Sequence, residues 1–332
     1  MTPARTPAPQ SRPPIKRFAS QFVVSGVHCA AATPVQNDGS PNLPLFVDHC
    51  QTLLQEGCHG IALLSNTGEA HGLSLSQRVA MFDALLSAGM DADRLLPCTS
   101  TPSVADTVAL TAPAVQAGAR GVLLAPPFYY KTVGDEGLFR YFAEVIERVA
   151  DRRLRVLLYH IPQVTQIALS DQLIERLVRA YPETVVGIHD SSGNLQHMRR
   201  LCARFPRLGV LVGADPFMLP LLRVGGAGCI TGTSNVRADA LRTIWDRWRY
   251  PEQAERVIAA QKRVNMWRTL SNRFSQIATL KAMLARTRGD DSWSRVLPPL
   301  VELTLGEQRA IWTMMDELEG DLPDEPDEPM FA

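Results

Sequence analysis

The chain has 332 residues, 45% hydrophobic and 20% charged, with 24 prolines, which is enough apolar material for one large core or two ordinary ones. A peptide hormone, a fibrous repeat and a disordered regulator are excluded. Lys+Arg equals Asp+Glu at 34 each, so no net field draws the chain to nucleic acid or an anionic membrane, and a small-molecule partner is expected.

Residues 1–20 carry five prolines, four cations and no acid. Such a composition cannot bury enough surface to offset its ordering entropy, and a disordered N-terminal arm is expected there. Short apolar runs follow at 23–32, 60–64, 95–99, 121–125, 154–159, 185–188, 209–212 and 228–230. Amphipathic stretches of helical period fill the gaps, at 44–56, 74–88, 104–117, 136–150 and 170–180, with Ser76 as a capping signal for the second. Continuous apolar strands separated by helices imply a parallel sheet buried on both faces. Eight such units, with no GxGxxG after the first strand, predict an α/β fold of the TIM (β/α)8 type over residues 21–240. Residues 241–315 read as a C-terminal helical extension, and 316–332 as an acidic tail. No run reaches the roughly 20 apolar residues of a membrane span, and the N-terminus lacks a signal-peptide core. A cytoplasmic location is the expectation. The six cysteines lack CxxC spacing and read as buried thiols.

In a barrel of this type the chemistry sits at the carboxyl ends of the strands. Those ends turn polar here: Ser65-Asn66-Thr67-Gly68-Glu69, Tyr129-Tyr130-Lys131, Tyr159-His160, His189-Asp190-Ser191-Ser192-Gly193, Gly213-Ala214-Asp215 and Thr231-Gly232-Thr233. The predicted result is a ring of hydroxyls, imidazoles and carboxylates around one mouth. His28 and Cys29 read as core, and His49, His59 and His197 as surface or capping residues.

These tips carry a family resemblance. Residues 65–69 resemble the G-[ST]-T-G-E loop of the dihydrodipicolinate synthase / N-acetylneuraminate lyase family, and Tyr159-His160-Ile161-Pro162 its Y-N-x-P strand. Residues 187–193 resemble its G-x-K-[DEQ]-x-[ST]-G segment, and 225–230 its G-G-x-G-x-I turn. The resemblance implies a class I aldolase-like homotetramer acting on 2-oxo acids, in which a lysine forms an imine with the oxo carbon. It implies Tyr159 as the proton-moving tyrosine, helped by Thr67, and Tyr129 as the tyrosine that crosses between subunits, with Tyr130 the alternative. It further implies a substrate-binding set of Asn66, Thr67, Gly213, Asp215 and Ile230. No cofactor or metal is expected.

The departures fall at the reacting positions. His189 stands in place of the imine lysine, and an imidazole nitrogen has no second hydrogen to lose, so it cannot give a dehydrated imine. Asn66 replaces a hydroxyl that relays protons. Val164 stands where a dihydrodipicolinate synthase would place an arginine for a second carboxylate. The chain holds four lysines, of which Lys131 reads as solvated and Lys281 as a packing or surface residue. His189 is then a general acid/base near its ordinary pKa, a metal ligand with His160, Asp190, Glu69 or His71, or a space-filling residue; no i, i+4 or HxH spacing supports the metal. Two functions follow: a lyase-like enzyme of aldolase or hydro-lyase type working on a 2-oxo acid or related small carboxylate without a Schiff base, with Tyr159 and His189 catalytic, or a catalytically silent member that binds a small oxo or sugar acid as a sensor or partner subunit.

Overall fold

The computed structural model describes residues 24–320. The expected arm at 1–20 and the end of the acidic tail, 321–332, lie outside the described residues. Seven parallel strands form one sheet: β1 (Gly26–Ala30), β2 (Gly60–Ala62), β3 (Val122–Leu124), β4 (Val156–His160), β5 (Val185–Asp190), β6 (Gly209–Val212) and β7 (Gly228–Thr231), in the order β2-β1-β7-β6-β5-β4-β3. All seven are buried along their whole length, which is why their sequences are unbroken apolar runs instead of alternating ones.

The eighth position belongs to residues 95–99, which close the barrel between β2 and β3 without a regular ladder. Leu96 N donates to Ile61 O, Cys98 N to Leu63 O and Leu123 N to Pro97 O. Pro97 has no N–H to give, so the pairing is reduced to single bridges.

The helices are α1 (Leu43–Gln55), α2 (Leu75–Ser87), α3 (Val104–Gln116), α4 (Asp135–Val149), α5 (Pro162–Thr165), α6 (Asp171–Ala180), α7 (Leu195–Arg204), α8 (Met218–Leu222), α9 (Ser234–Arg247), α10 (Ala254–Ser271), α11 (Gln276–Arg288) and α12 (Leu305–Gly320). Helix α4 shows why the outer layer forms: Leu138, Tyr141, Phe142, Val145 and Ile146 recur at three- and four-residue spacing and are its buried face. The cap of α2 is Ser74, not Ser76; its side chain accepts from Gln77 N while the Gln77 side chain accepts from Ser74 N. The expected boundary at residue 240 falls inside α9, which is the helix following β7 and runs to Arg247. Helices α10, α11 and α12 form the extension, around a second apolar cluster that includes Trp267, Met283 and Trp293. No helix among the described residues is long and apolar enough to cross a membrane.

Candidate active site

Register builds the site. In the β4–β5 pair, Tyr159 lies opposite His189 and His160 opposite Asp190. Side chains alternate along a strand, so neighbouring positions serve opposite faces. Tyr159 and His189 point into the barrel and stack, with ring centroids 4.7 Å apart and planes 24° from parallel. His160 and Asp190 point outward toward α6 and α7, where His197 Nδ1 donates to Asp190 Oδ2 at 2.7 Å and His197 Nε2 lies 3.3 Å from Asp171.

The inner pair lies in a polar pocket of about 50 Å³ at the mouth, lined also by Asn66, Thr67, Gly213, Ile230 and Arg268. That is room for a few water-sized groups, the scale of a 2-oxo acid head. Ser191 Oγ sits 3.2 Å from His189 Nε2. Gly213 keeps the space open, because a Cβ there would fall 1.9 Å from Ser191 Oγ. The 65–69 loop is fixed by a hydrogen bond from Thr33 Oγ1 to Gly68 O at 2.7 Å, and a Cβ on Gly68 would come within 2.9 Å of Ala31 O. Glu69 ends the loop with φ of 55°, a left-handed conformation that non-glycine residues rarely hold.

Burial sets the protonation states. His189 is 2% exposed, and desolvation lowers its pKa from 6.5 to about 4, so the ring is neutral at pH 7. The expectation of an unperturbed imidazole is thereby corrected. Its Nδ1 is buried with no hydrogen-bond partner. Burial raises Tyr159 well above the ordinary phenol value, against the opposing effect of the Asn66 main chain and the Ser191 side chain. Tyr159 is therefore a neutral O–H donor.

Other expected site residues separate. Asp215 does not line the pocket; it is fully buried, its Oδ2 accepts from Thr233 Oγ1 at 2.8 Å, and Arg268 lies 3.8 Å away. Burial raises its pKa. Tyr129 and Tyr130 stand on the rim, 71% and 70% exposed. Lys131 is exposed and is bonded to Phe128 O and Thr165 O, in keeping with its solvated reading.

Two readings fail, those of His49 and His197, and for Lys281 burial decides between its two readings, packing and surface, in favour of packing. Lys281 is fully buried, and its Nζ donates to Glu69 Oε1 at 2.5 Å while Glu69 Oε2 accepts from Leu297 N at 2.6 Å. Desolvation lowers the Lys281 pKa, with the Glu69 charge opposing. His49 and His197 are not surface residues: His49 Nε2 meets Asn235 Oδ1 at 2.9 Å and its ring packs edge-on to Trp293, while His197 is paired to Asp190. His160, Asp190 and His197 do place possible ligand atoms within 4.8 Å of one another. However, Leu169 N donates to His160 Nδ1 at 3.2 Å, so the neutral ring keeps its hydrogen on Nε2 and offers a metal no lone pair there.

Sequence reasoning missed Ser191 as the partner of His189 and Arg268 as a cation at the pocket. Ser191 was visible two residues beyond His189. Arg268 sits in the C-terminal helices, and no local signal carries it across to the mouth.

Beside this pocket lies a larger chamber of about 330 Å³, which shares Asn66, Tyr159 and Ile161 with it. Val164 is on its rim, 51% exposed.

Comparison with known proteins agrees with this architecture. The chain is 30% identical over 294 residues to an "uncharacterized DapA-like lyase" of Chloroflexus aurantiacus, covering 86% of this chain and 94% of that protein. It is 28% identical to the 4-hydroxy-tetrahydrodipicolinate synthase of Bacillus subtilis, over 88% and 98% of the two chains. The crystal structure of dihydrodipicolinate synthase from Agrobacterium tumefaciens superposes with a TM-score of 0.81 at 31% identity, covering 89% of this chain and 99% of that one. The model of the dihydrodipicolinate synthetase family matches residues 23–318. With the family model matched over nearly all the described residues and a 30% identical relative covered over most of its length, this chain belongs to the dihydrodipicolinate synthetase family.

Proposed function

We propose that the protein is a lyase-like enzyme that enolises a 2-oxo acid, or a related small carboxylate, without forming a Schiff base. The observation that carries this reading is the Tyr159–His189 stack at the floor of the polar pocket. Arg268 supplies positive charge at the pocket, and Asn66 and Thr67, whose main-chain amides the family resemblance assigns to the substrate carboxylate, line it too. The oxo oxygen accepts a hydrogen bond from the neutral Tyr159 phenol. His189 takes a proton from C3, the C3–H electron pair becomes the new C2–C3 double bond, and the C2–O π pair moves onto the oxygen. A base with its pKa near 4 is weak, but the substrate's negative charge offsets part of the desolvation and raises it on binding. The enolate then serves addition to an aldehyde or, in the reverse sense, cleavage or loss of a hydroxyl at C4.

Exchange of the C3 hydrogens of pyruvate in deuterated water, followed by NMR, tests this. The protein is expected to accelerate exchange, and Tyr159→Phe to lower the rate by about 10²-fold or more. Absence of exchange with retained pyruvate binding would instead identify a catalytically silent member. We further propose a homotetramer, supported by the exposed Tyr129 and Tyr130 at the rim; light scattering that gives the mass of one chain, 36.6 kDa, at micromolar concentration would reject it.

A further inference from the structure

The chamber next to the reaction pocket has no role in the steps above, and its chemistry is unlike that of the mouth. Its walls are mostly apolar, with Phe128, Ile277, Leu297, Leu300 and Val164 among the lining side chains. Glu69 is the carboxylate that reaches it, and both of its oxygens are committed, one to Lys281 Nζ and one to Leu297 N. Its charge is compensated from behind the wall. His71 is held edge-on against Phe128, 4.5 Å between ring centroids. The chamber therefore offers no uncompensated charge to a second carboxylate, and few hydroxyl partners to a sugar chain.

We infer that this chamber receives an apolar, aryl-sized arm carried at C4 of the 2-oxo acid, which makes the protein selective for aryl-bearing oxo acids over dicarboxylic or polyhydroxy ones. This rests on the reading of the polar pocket given above. Continuity supports it: Tyr159 and Ile161 wall both spaces, so an arm leaving C3 or C4 of an acid bound at His189 has the chamber as its neighbour. Size supports it too, since a cavity of about 150 Å³ holds a benzene ring and this one is about 330 Å³. Burying an aryl group away from water supplies the affinity, and a charged arm placed there would lose its hydration without gaining a partner.

Isothermal titration of the full-length protein with four probes decides the matter: pyruvate, 2-oxoglutarate, 2-oxo-4-phenylbutanoate and 4-phenyl-2-butanone. The aryl oxo acid is expected to bind at least about tenfold more tightly than pyruvate, and 2-oxoglutarate no more tightly than pyruvate. Val164→Arg and Ile277→Asp each place a charge at the chamber and are expected to abolish the aryl preference while leaving pyruvate binding unchanged; Val164→Arg should also improve 2-oxoglutarate binding. Both side chains are at least partly exposed, and equal melting temperatures would verify the fold of each variant. Equal affinity for pyruvate and the aryl acid would overturn the chamber's assignment and leave the polar-pocket reading intact. Binding of the ketone but of none of the three acids would overturn the oxo-acid reading, and the aryl oxo acid assignment with it.

Discussion

At the scale of single residues, burial decides what each ionisable group does. His189 is neutral because desolvation outweighs everything around it, whereas His197, facing Asp190 and Asp171, has its pKa raised by the hydrogen bond to Asp190. Glu69 and Lys281 are the most exposed to a change of partner, because both side chains are out of water, 2% and 0% exposed. Glu69→Gln leaves a buried ammonium without its counter-charge and releases Leu297 N from a carboxylate. A loss of about 3–5 kcal/mol in unfolding free energy is expected, measured by urea denaturation. Adding Lys281→Met, which removes the stranded charge and keeps the volume, should restore part of that loss. If Glu69→Gln cost nothing, the pair would not be the link between the 65–69 loop and the C-terminal helices that its geometry describes.

At the scale of elements, the barrel was legible because both faces of each strand are buried, which writes itself as unbroken Val, Ile and Leu runs. The polar tips were legible for the complementary reason, that the mouth is where those runs stop. The 95–99 segment was read as a strand and does occupy a strand's place, but Pro97 interrupts its ladder. Helical histidines were misread because period alone cannot tell a solvated face from one packed on a polar partner. His49 is the instructive case: it is buried against Asn235, 186 positions away in sequence. Asn235 itself ties β1, α1 and α9 together, since its Oδ1 accepts from Ala32 N and pairs with His49 while its Nδ2 donates to Ala30 O and Gly232 O. Arg237 just beyond it departs from helical geometry, at φ −145° and ψ 52°, which marks a kink near the start of α9. Asn235→Ala strands several buried groups at once, and a cost of about 3 kcal/mol or more is expected, again by denaturation. Arg268 was illegible in the sequence for a topological reason: it belongs to a helix added after the barrel and approaches the mouth from outside the β/α repeat.

At the scale of the whole molecule, the buried histidines set the acid limit of stability. Burial lowers His28 from 6.5 to about 3, and His49 and His189 to about 4 each. The folded state therefore binds fewer protons than the unfolded state between pH 6.5 and about 4. The sign is fixed: unfolding free energy falls as pH falls through that window, and each of the three histidines contributes up to about 1.4 kcal/mol per pH unit. Denaturation midpoints at pH 7, 6 and 5 should decline progressively; a midpoint constant down to pH 5 would mean that these rings accept protons in the folded protein. The central claim, that this member of the family works without an imine, is tested most directly by the mass of the intact protein after incubation with pyruvate and borohydride. Reduction fixes only an imine, so the unmodified mass is expected for the natural chain, together with a reduced pyruvyl adduct at position 189 in His189→Lys, where burial would give the new amine the lowered pKa that attack on a ketone needs. An adduct on the natural chain, mapped to Lys281 or Lys131, would contradict the account.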